Sequence, residues 1–246
     1  MLNRIELLLS TEDKLHVNMG SAFHGWILEQ IEREYGDRLH AAALKPFSQY
    51  LRNDRQNGQY SLCFQSLNTE AKEKIVESIK DKKEIHLKEK GIVAKIEAVE
   101  VWPETSYNAL TERYYLNVKP QRYMTIALQS PTSFSVAKHY LNYPSIFHIY
   151  QSLINRWNAF STTIKITDET VLKHLVDYTH LSDYRLQTQV YTVGGGKIKG
   201  FSGTMTLCVK GPETMVNLAN LLFAFSNYSG IGIKTALGMG GTKVEI

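Results

Sequence analysis

Two histidines in the amino-terminal half, His24 and His40, stand sixteen residues apart. Imidazole titrates close to neutral pH, so two such rings from adjacent elements could supply one acid and one base. His24 directly follows Phe23, which sets it near the edge of an apolar stripe, open to solvent or ligand. Taken alone, a helical histidine is as readily a surface or packing residue, so the pair by itself does not specify a reaction. The other histidines, His16, His86, His139, His148, His174 and His180, are scattered without H-x-E, H-x-x-x-H or H-E-x-x-H spacing. Neither a zinc-like set of ligands, nor a paired-carboxylate cluster, nor a G-x-S-x-G elbow is evident, so no metal and no cofactor is expected.

A second chemical feature closes the chain. In SGIGIKTALGMGGTKVEI, glycine fills five of the twelve positions from Gly230 to Gly241. Glycine gives up more conformational entropy on folding than any other residue, so a run of it needs a reason. A P-loop would place Lys directly after its last Gly, whereas Ile233 separates Gly232 from Lys234. A dinucleotide fingerprint follows a strand and opens a helix; this segment follows a helix and precedes a strand. Ile231, Ile233, Leu237 and Met239 interleave the glycines and would anchor the loop in a core. An anchored loop that exposes its backbone at Gly230, Gly232, Gly238 and Gly240 suits a polyanion, with Lys234 as the first phosphate contact. Lys197 and Lys199, in the GGGKIKG stretch Gly194 to Gly200, read as a flexible hairpin tip able to reach a nucleic-acid stem.

The elements that must position these groups follow from periodicity. The 246 residues are 43% hydrophobic and 21% charged with net charge +4, ordinary for a soluble globular chain and mildly basic. Cys63 and Cys208 lie far apart in alternating apolar stretches and read as reduced core residues of a cytoplasmic protein. No apolar run reaches the ~20 residues of a membrane span, and MLNRIELLLSTED reads as a strand, not a signal peptide. A strand at Arg4–Ser10 leads to one amphipathic helix, Gly20 to Tyr35, with Phe23, Ile27, Ile31 and Tyr35 on its apolar face. A short helical turn near Leu39 to Leu44, strands at 47–53 and 60–67 around the turn Asp54 to Gly58, a helix from a Thr69 cap to Asp81, and strands at 85–87 and 92–102 complete the first half.

The second half repeats this order: strand 124–128, helix 143–160, an extra helix 168–178, strands 184–193 and 202–210, helix 212–226 and a terminal strand 242–246. The expected fold is α+β: two tandem ferredoxin-like domains, 1–118 and 122–246, joined near Asn117 to Arg122 where Pro120 interrupts the pattern. The glycine loop then joins the last helix of the second domain to its last strand.

That placement, with FHGWIL (Phe23 to Leu28), Tyr35 through His40, SPTSF (Ser130 to Phe134) and FSNYSGIGIKTALGMGG (Phe225 to Gly241), resembles the repeat-associated RNA-binding proteins of CRISPR systems. More narrowly it is similar to their stand-alone precursor-RNA processing endoribonucleases, of the kind that accompanies type III-A effector complexes. The resemblance implies a metal-independent cut within each repeat. The ribose 2′-OH attacks the adjacent phosphorus, leaving 2′,3′-cyclic phosphate and 5′-OH ends. It also implies His24 and His40 as acid and base, with His40 as base and His24 as acid in the first assignment. Lys45, five residues past His40, would neutralise the scissile phosphate. Some members carry a Tyr where Leu28 stands, so the family's Tyr-containing triad is incomplete here. The implied partner is the repeat RNA, with a transient association with a type III-A complex; no membrane partner is expected, and the oligomeric state stays open. The alternative is a non-catalytic guide-RNA-binding subunit of an effector complex, against which the two histidines weigh.

Overall fold

The computed structural model describes residues 1–54, 58–116, 119–162 and 164–246. The first half contains β1 (Asn3–Ser10), α1 (Gly20–Glu29), α2 (Arg33–Ala41), β2 (Phe47–Asp54), β3 (Gln59–Ser66), α3 (69–79), β4 (Glu84–Leu87), β5 (Ile92–Val101) and α4 (107–116). The second contains β6 (Tyr123–Thr132), β7 (Phe134–Val136), β8 (His139–Leu141), α5 (Ile146–Phe160), α6 (Glu169–Tyr178), β9 (Thr179–Val193), β10 (Gly196–Val209), α7 (Glu213–Ser229) and β11 (Thr242–Glu245).

The strands form an antiparallel sheet of order β2-β3-β1-β5-β4 and a second of order β11-β6-β10-β9; β7 and β8 pair separately. Reading β5 and β11 as the fourth strands, both sheets share one permutation, with the first strand between third and fourth. That is the ferredoxin-like order in tandem, and β4 adds an edge to the first copy. The cores are separate. Ile5, Leu7, Leu62 and Phe64 of the first sheet pack under Phe23 and Ile27 of α1. Ile126, Met205 and Leu207 of the second pack with Leu153 and Trp157 of α5 and Leu222 of α7. Tyr107 and Leu110 of α4 join this second core. Helix α7 is buried without a break from Leu218 to Ser226, around the apolar run Leu221 to Phe225. Cys63 and Cys208 are both buried and free.

Several boundaries differ from expectation. The helix expected from Gly20 to Tyr35 ends at Glu29, and a second begins at Arg33. Successive i+4 steps drift about 40° each around a straight helix, so a stripe drawn from Phe23 to Tyr35 leaves the buried face. The break restores Tyr35 and Leu39 to the first core, and it puts His40 in the last turn of α2. In α3 the capping side chain is Asn68, whose Oδ1 accepts from the Ala71 amide at 2.8 Å, not Thr69. β9 and β10 are longer than expected, so the GGGKIKG tip narrows to a turn at Gly194 and Gly195, and Lys197 and Lys199 lie in strand β10. Arg55, Gln56 and Asn57 of the expected hairpin turn, and Asn117 and Val118 of the expected linker, lie outside the described residues.

Candidate active site

The loop between α7 and β11 holds the two halves together, and its glycines are explained by what they touch. A Cβ on Gly232 would meet the Ser133 carbonyl oxygen at 2.4 Å, and one on Gly240 would meet the Ile231 carbonyl oxygen at 2.0 Å. Gly238 packs its Cα against Gly20 of α1, where an added Cβ would lie 2.8 Å away. Gly230, at φ +64°, abuts the Gly240 carbonyl. At these four glycines the close approach is to other parts of the protein itself. Loop amides are consumed internally as well: Ile231 donates to Gly240, Ile233 to Ser133 and Gly240 to Pro131. The prominent exception is Lys234, whose side chain is exposed and whose backbone is left-handed at φ 56°. It opens a single helical turn, Thr235–Leu237, that packs against α1 and β2.

Next to this turn lies a cavity of about 660 Å³ that receives side chains from both halves. His24, His40 and Lys45 line it from the first half; Gly232 and Lys234 line it from the loop. His24 is half-buried on α1, stacked on Phe47 with ring centroids 5.7 Å apart. Its Nδ1 lies 3.0 Å from the Ala236 carbonyl oxygen, which can only accept, so Nδ1 carries the hydrogen and Nε2 is left as the basic nitrogen. Gln49 donates to the same carbonyl at 3.1 Å and to the Gly20 carbonyl at 2.7 Å, bracing α1 against the loop. Burial pushes the His24 imidazole down to about 4; the Ala236 contact opposes this, and the nearby His40 and Lys45 add to it.

His40 is exposed at the carboxyl end of α2. Lys45 curls back over that helix end, its Nζ donating to the Ala42 carbonyl at 2.5 Å and reaching the His40 carbonyl at 3.4 Å. A cation there complements the helix dipole. Burial, and then the charge of Lys234, hold the Lys45 ammonium below the usual lysine range. The cavity is therefore a cationic recess containing a neutral imidazole with one free nitrogen. Among the described residues, no three His, Cys, Asp or Glu side chains gather as a metal-holding group.

A protein from Streptococcus thermophilus named CRISPR-associated endoribonuclease Cas6 is 30% identical over 223 residues, spanning 91% of this chain and 90% of its own. This chain belongs to the Cas6 endoribonuclease family. The family model described as CRISPR-associated endoribonuclease Cas6 matches residues 126–242, which include the glycine loop. A Mycobacterium tuberculosis Cas6 is 25% identical over 250 residues, covering 99% of this chain and 78% of that one. A Cas6 solved as a product complex aligns over 100% of both chains with TM-score 0.83 at 20% identity. Thermus thermophilus Cas6 aligns over 100% and 98% with TM-score 0.74, also at 20% identity. At such identity these structures speak for the fold.

Within this Cas6 family member, Lys197 and Lys199 are exposed on β10 and lie outside the cavity lining. Gly230, Gly238 and Gly240 likewise shape the loop from behind the cavity wall. Among the other lining residues are His148, which the sequence offered without a motif, and Arg156, which it did not single out. His148, on α5, lines the wall with its Nδ1 2.7 Å from the Ser145 hydroxyl. Arg156 also lies on α5 and is 6% exposed. Its signal was available: it falls seven residues after Ile149 and three after Leu153, on the helix's buried stripe, where a cation is out of place.

Proposed function

We propose that this chain is a metal-independent endoribonuclease that cuts precursor CRISPR RNA once within each repeat. The observation that carries the proposal is the meeting of His24, His40, Lys45 and Lys234 at one recess from distant parts of the chain. The domain carrying the histidines is assigned to 1–118 and the domain carrying the loop to 122–246. Complexes with product and with a substrate mimic, solved for relatives of the same fold, support repeat RNA as the partner.

In this reading the 2′-oxygen attacks the adjacent phosphorus, the bond from phosphorus to the 5′-oxygen breaks, and a 2′,3′-cyclic phosphate forms. The hydrogen-bonding geometry argues for reversing the first assignment of roles. With Nδ1–H held by Ala236, His24 offers Nε2 as the acceptor for the 2′-OH proton. His40, exposed at the rim, is the acid toward the leaving 5′-oxygen. Charge on the phosphoryl oxygens is met by Lys45 and Lys234. The arriving phosphate also offsets the cationic field that lowers His24's basicity. Lys197 and Lys199 would meet RNA phosphates away from the cut.

Labelled repeat RNA incubated with the protein in EDTA tests the chemistry, beside a copy with a single 2′-deoxy sugar at the cut. The expected result is one cleavage ending in a cyclic phosphate, abolished by the deoxy substitution. Tight binding of both RNAs without cleavage would instead leave a guide-binding subunit.

A further inference from the structure

Arg156 is the charged group that the chemistry above does not use. It projects from the middle of α5, 6% exposed, beneath the glycine loop. One terminal nitrogen, Nη2, donates to the Gly232 carbonyl at 2.8 Å and to the Thr235 hydroxyl at 3.1 Å. Both partners are neutral. Among the described residues no carboxylate pairs with it, and burial alone pulls the guanidinium down to about 10, so it stays charged at neutral pH. Its Nε and Nη1 hydrogens have no protein acceptor among the described residues, and the side chain lines the cavity shared by His24, His40, Lys45 and Lys234.

A buried charge without a counter-charge is costly, and replacing such a group by an apolar one of similar length is often neutral or stabilising. Loop bracing could be had from a neutral donor. What a neutral donor lacks is a fixed positive charge with N–H groups to spare. We propose that Arg156 is an anion-binding residue of the active site, its charge and its unpaired Nε hydrogen receiving the phosphate of the RNA at the cut. The inference rests on the endoribonuclease reading and adds a fifth group to it. Because Nη2 is tied to Gly232 and Thr235, and the next residue's carbonyl holds His24, phosphate and base are referenced to one short stretch of loop.

The test uses the full chain with repeat RNA and its 2′-deoxy copy as an uncleavable ligand. Arg156→Met is expected to keep or raise the thermal midpoint, to lower the single-turnover rate roughly 10²-fold, and to reduce the slope of log affinity against log salt by about one charge. Arg156→Lys is expected to retain the salt slope but not the full rate, since it keeps the charge and loses the planar guanidinium. A bracing role alone would lower the midpoint of Arg156→Met and leave the salt slope unchanged; that pattern, or a folded variant with wild-type rate and slope, overturns the proposal. Should Arg156→Met fail to fold, the Nε–H resonance of Arg156 in ¹⁵N-labelled wild-type protein decides, assigned with Arg156→Lys. It is expected to shift when the 2′-deoxy RNA is added, and a stationary resonance overturns the proposal. Wild-type protein that binds but leaves repeat RNA uncut would refute the nuclease reading separately, because slope and resonance report phosphate contact without cleavage.

Discussion

The first helix of each ferredoxin-like unit faces the same cavity, yet the two helices bring different chemistry to it. In the amino-terminal unit α1 carries His24, a ring whose hydrogen-bonding state is set by a carbonyl of the other unit. In the carboxy-terminal unit α5 carries Arg156, a charge whose donors are set by its own unit's loop. Both sheets have the same strand permutation, so topology does not distinguish them. The difference arises after the helix that follows β3 in one unit and β10 in the other. Beyond α3 the chain turns directly into β4, whereas beyond α7 it makes the glycine loop that reaches across to α1 and β2. Of two scaffolds with one permutation, one presents an imidazole to the cavity and the other a guanidinium, and the loop registers one against the other.

The sharpest way to break this comparison is to remove the rings. His24→Ala and His40→Ala are each expected to slow cleavage by roughly 10² to 10⁴, with affinity for 2′-deoxy repeat RNA within a few-fold of wild type. Wild-type rates in both would remove the amino-terminal wall from the chemistry. A next, smaller effect addresses the register itself. In Gly20→Ala the new methyl meets the Tyr191 hydroxyl at 2.2 Å and the Leu237 carbonyl oxygen at 2.4 Å. Overpacking there is expected to cost about 3 kcal/mol in denaturant unfolding and to lower the cleavage rate through displacement of the loop. An unchanged unfolding midpoint would mean that the contact between α1 and the loop is not a brace.

The smallest effect concerns acid stability. His24 is held near 4 in the folded chain against 6.5 when free, so the native state binds fewer protons than the unfolded one between those values. Its contribution is therefore fully present above pH 6.5 and is lost as pH falls toward 4. Discounting for partial exposure, about 2 kcal/mol of pH-dependent stability is expected from this ring. His24→Gln should flatten the corresponding slope in unfolding titrations; an identical slope would place the pH dependence elsewhere.

The tandem fold was legible because each unit repeats strand, helix, strand, strand, helix, strand with clear changes of period, and burial enforces those periods. His24 stood out because it adjoins Phe23 on an apolar face, and Lys234 because it interrupts the glycines. The break between α1 and α2 was not legible: local propensity permits one helix, and only packing of Tyr35 and Leu39 on the sheet demands two. The glycines were noticed for close approach; the structure sets protein atoms against them, and spacing alone does not distinguish such a neighbour from a ligand.

The sequence by itself determined the alternation of elements, the doubling of the unit, and the supply of imidazoles and lysines. It could do so because hydrophobic period and side-chain chemistry are local properties of the chain. The tertiary structure alone decided that Ala236 would orient His24, that Arg156 would be buried with no counter-charge among the described residues, and that residues more than 200 positions apart would share one recess. Those facts depend on the close packing of one unit's loop against the other unit's helix, and no local pattern encodes a distance across a fold.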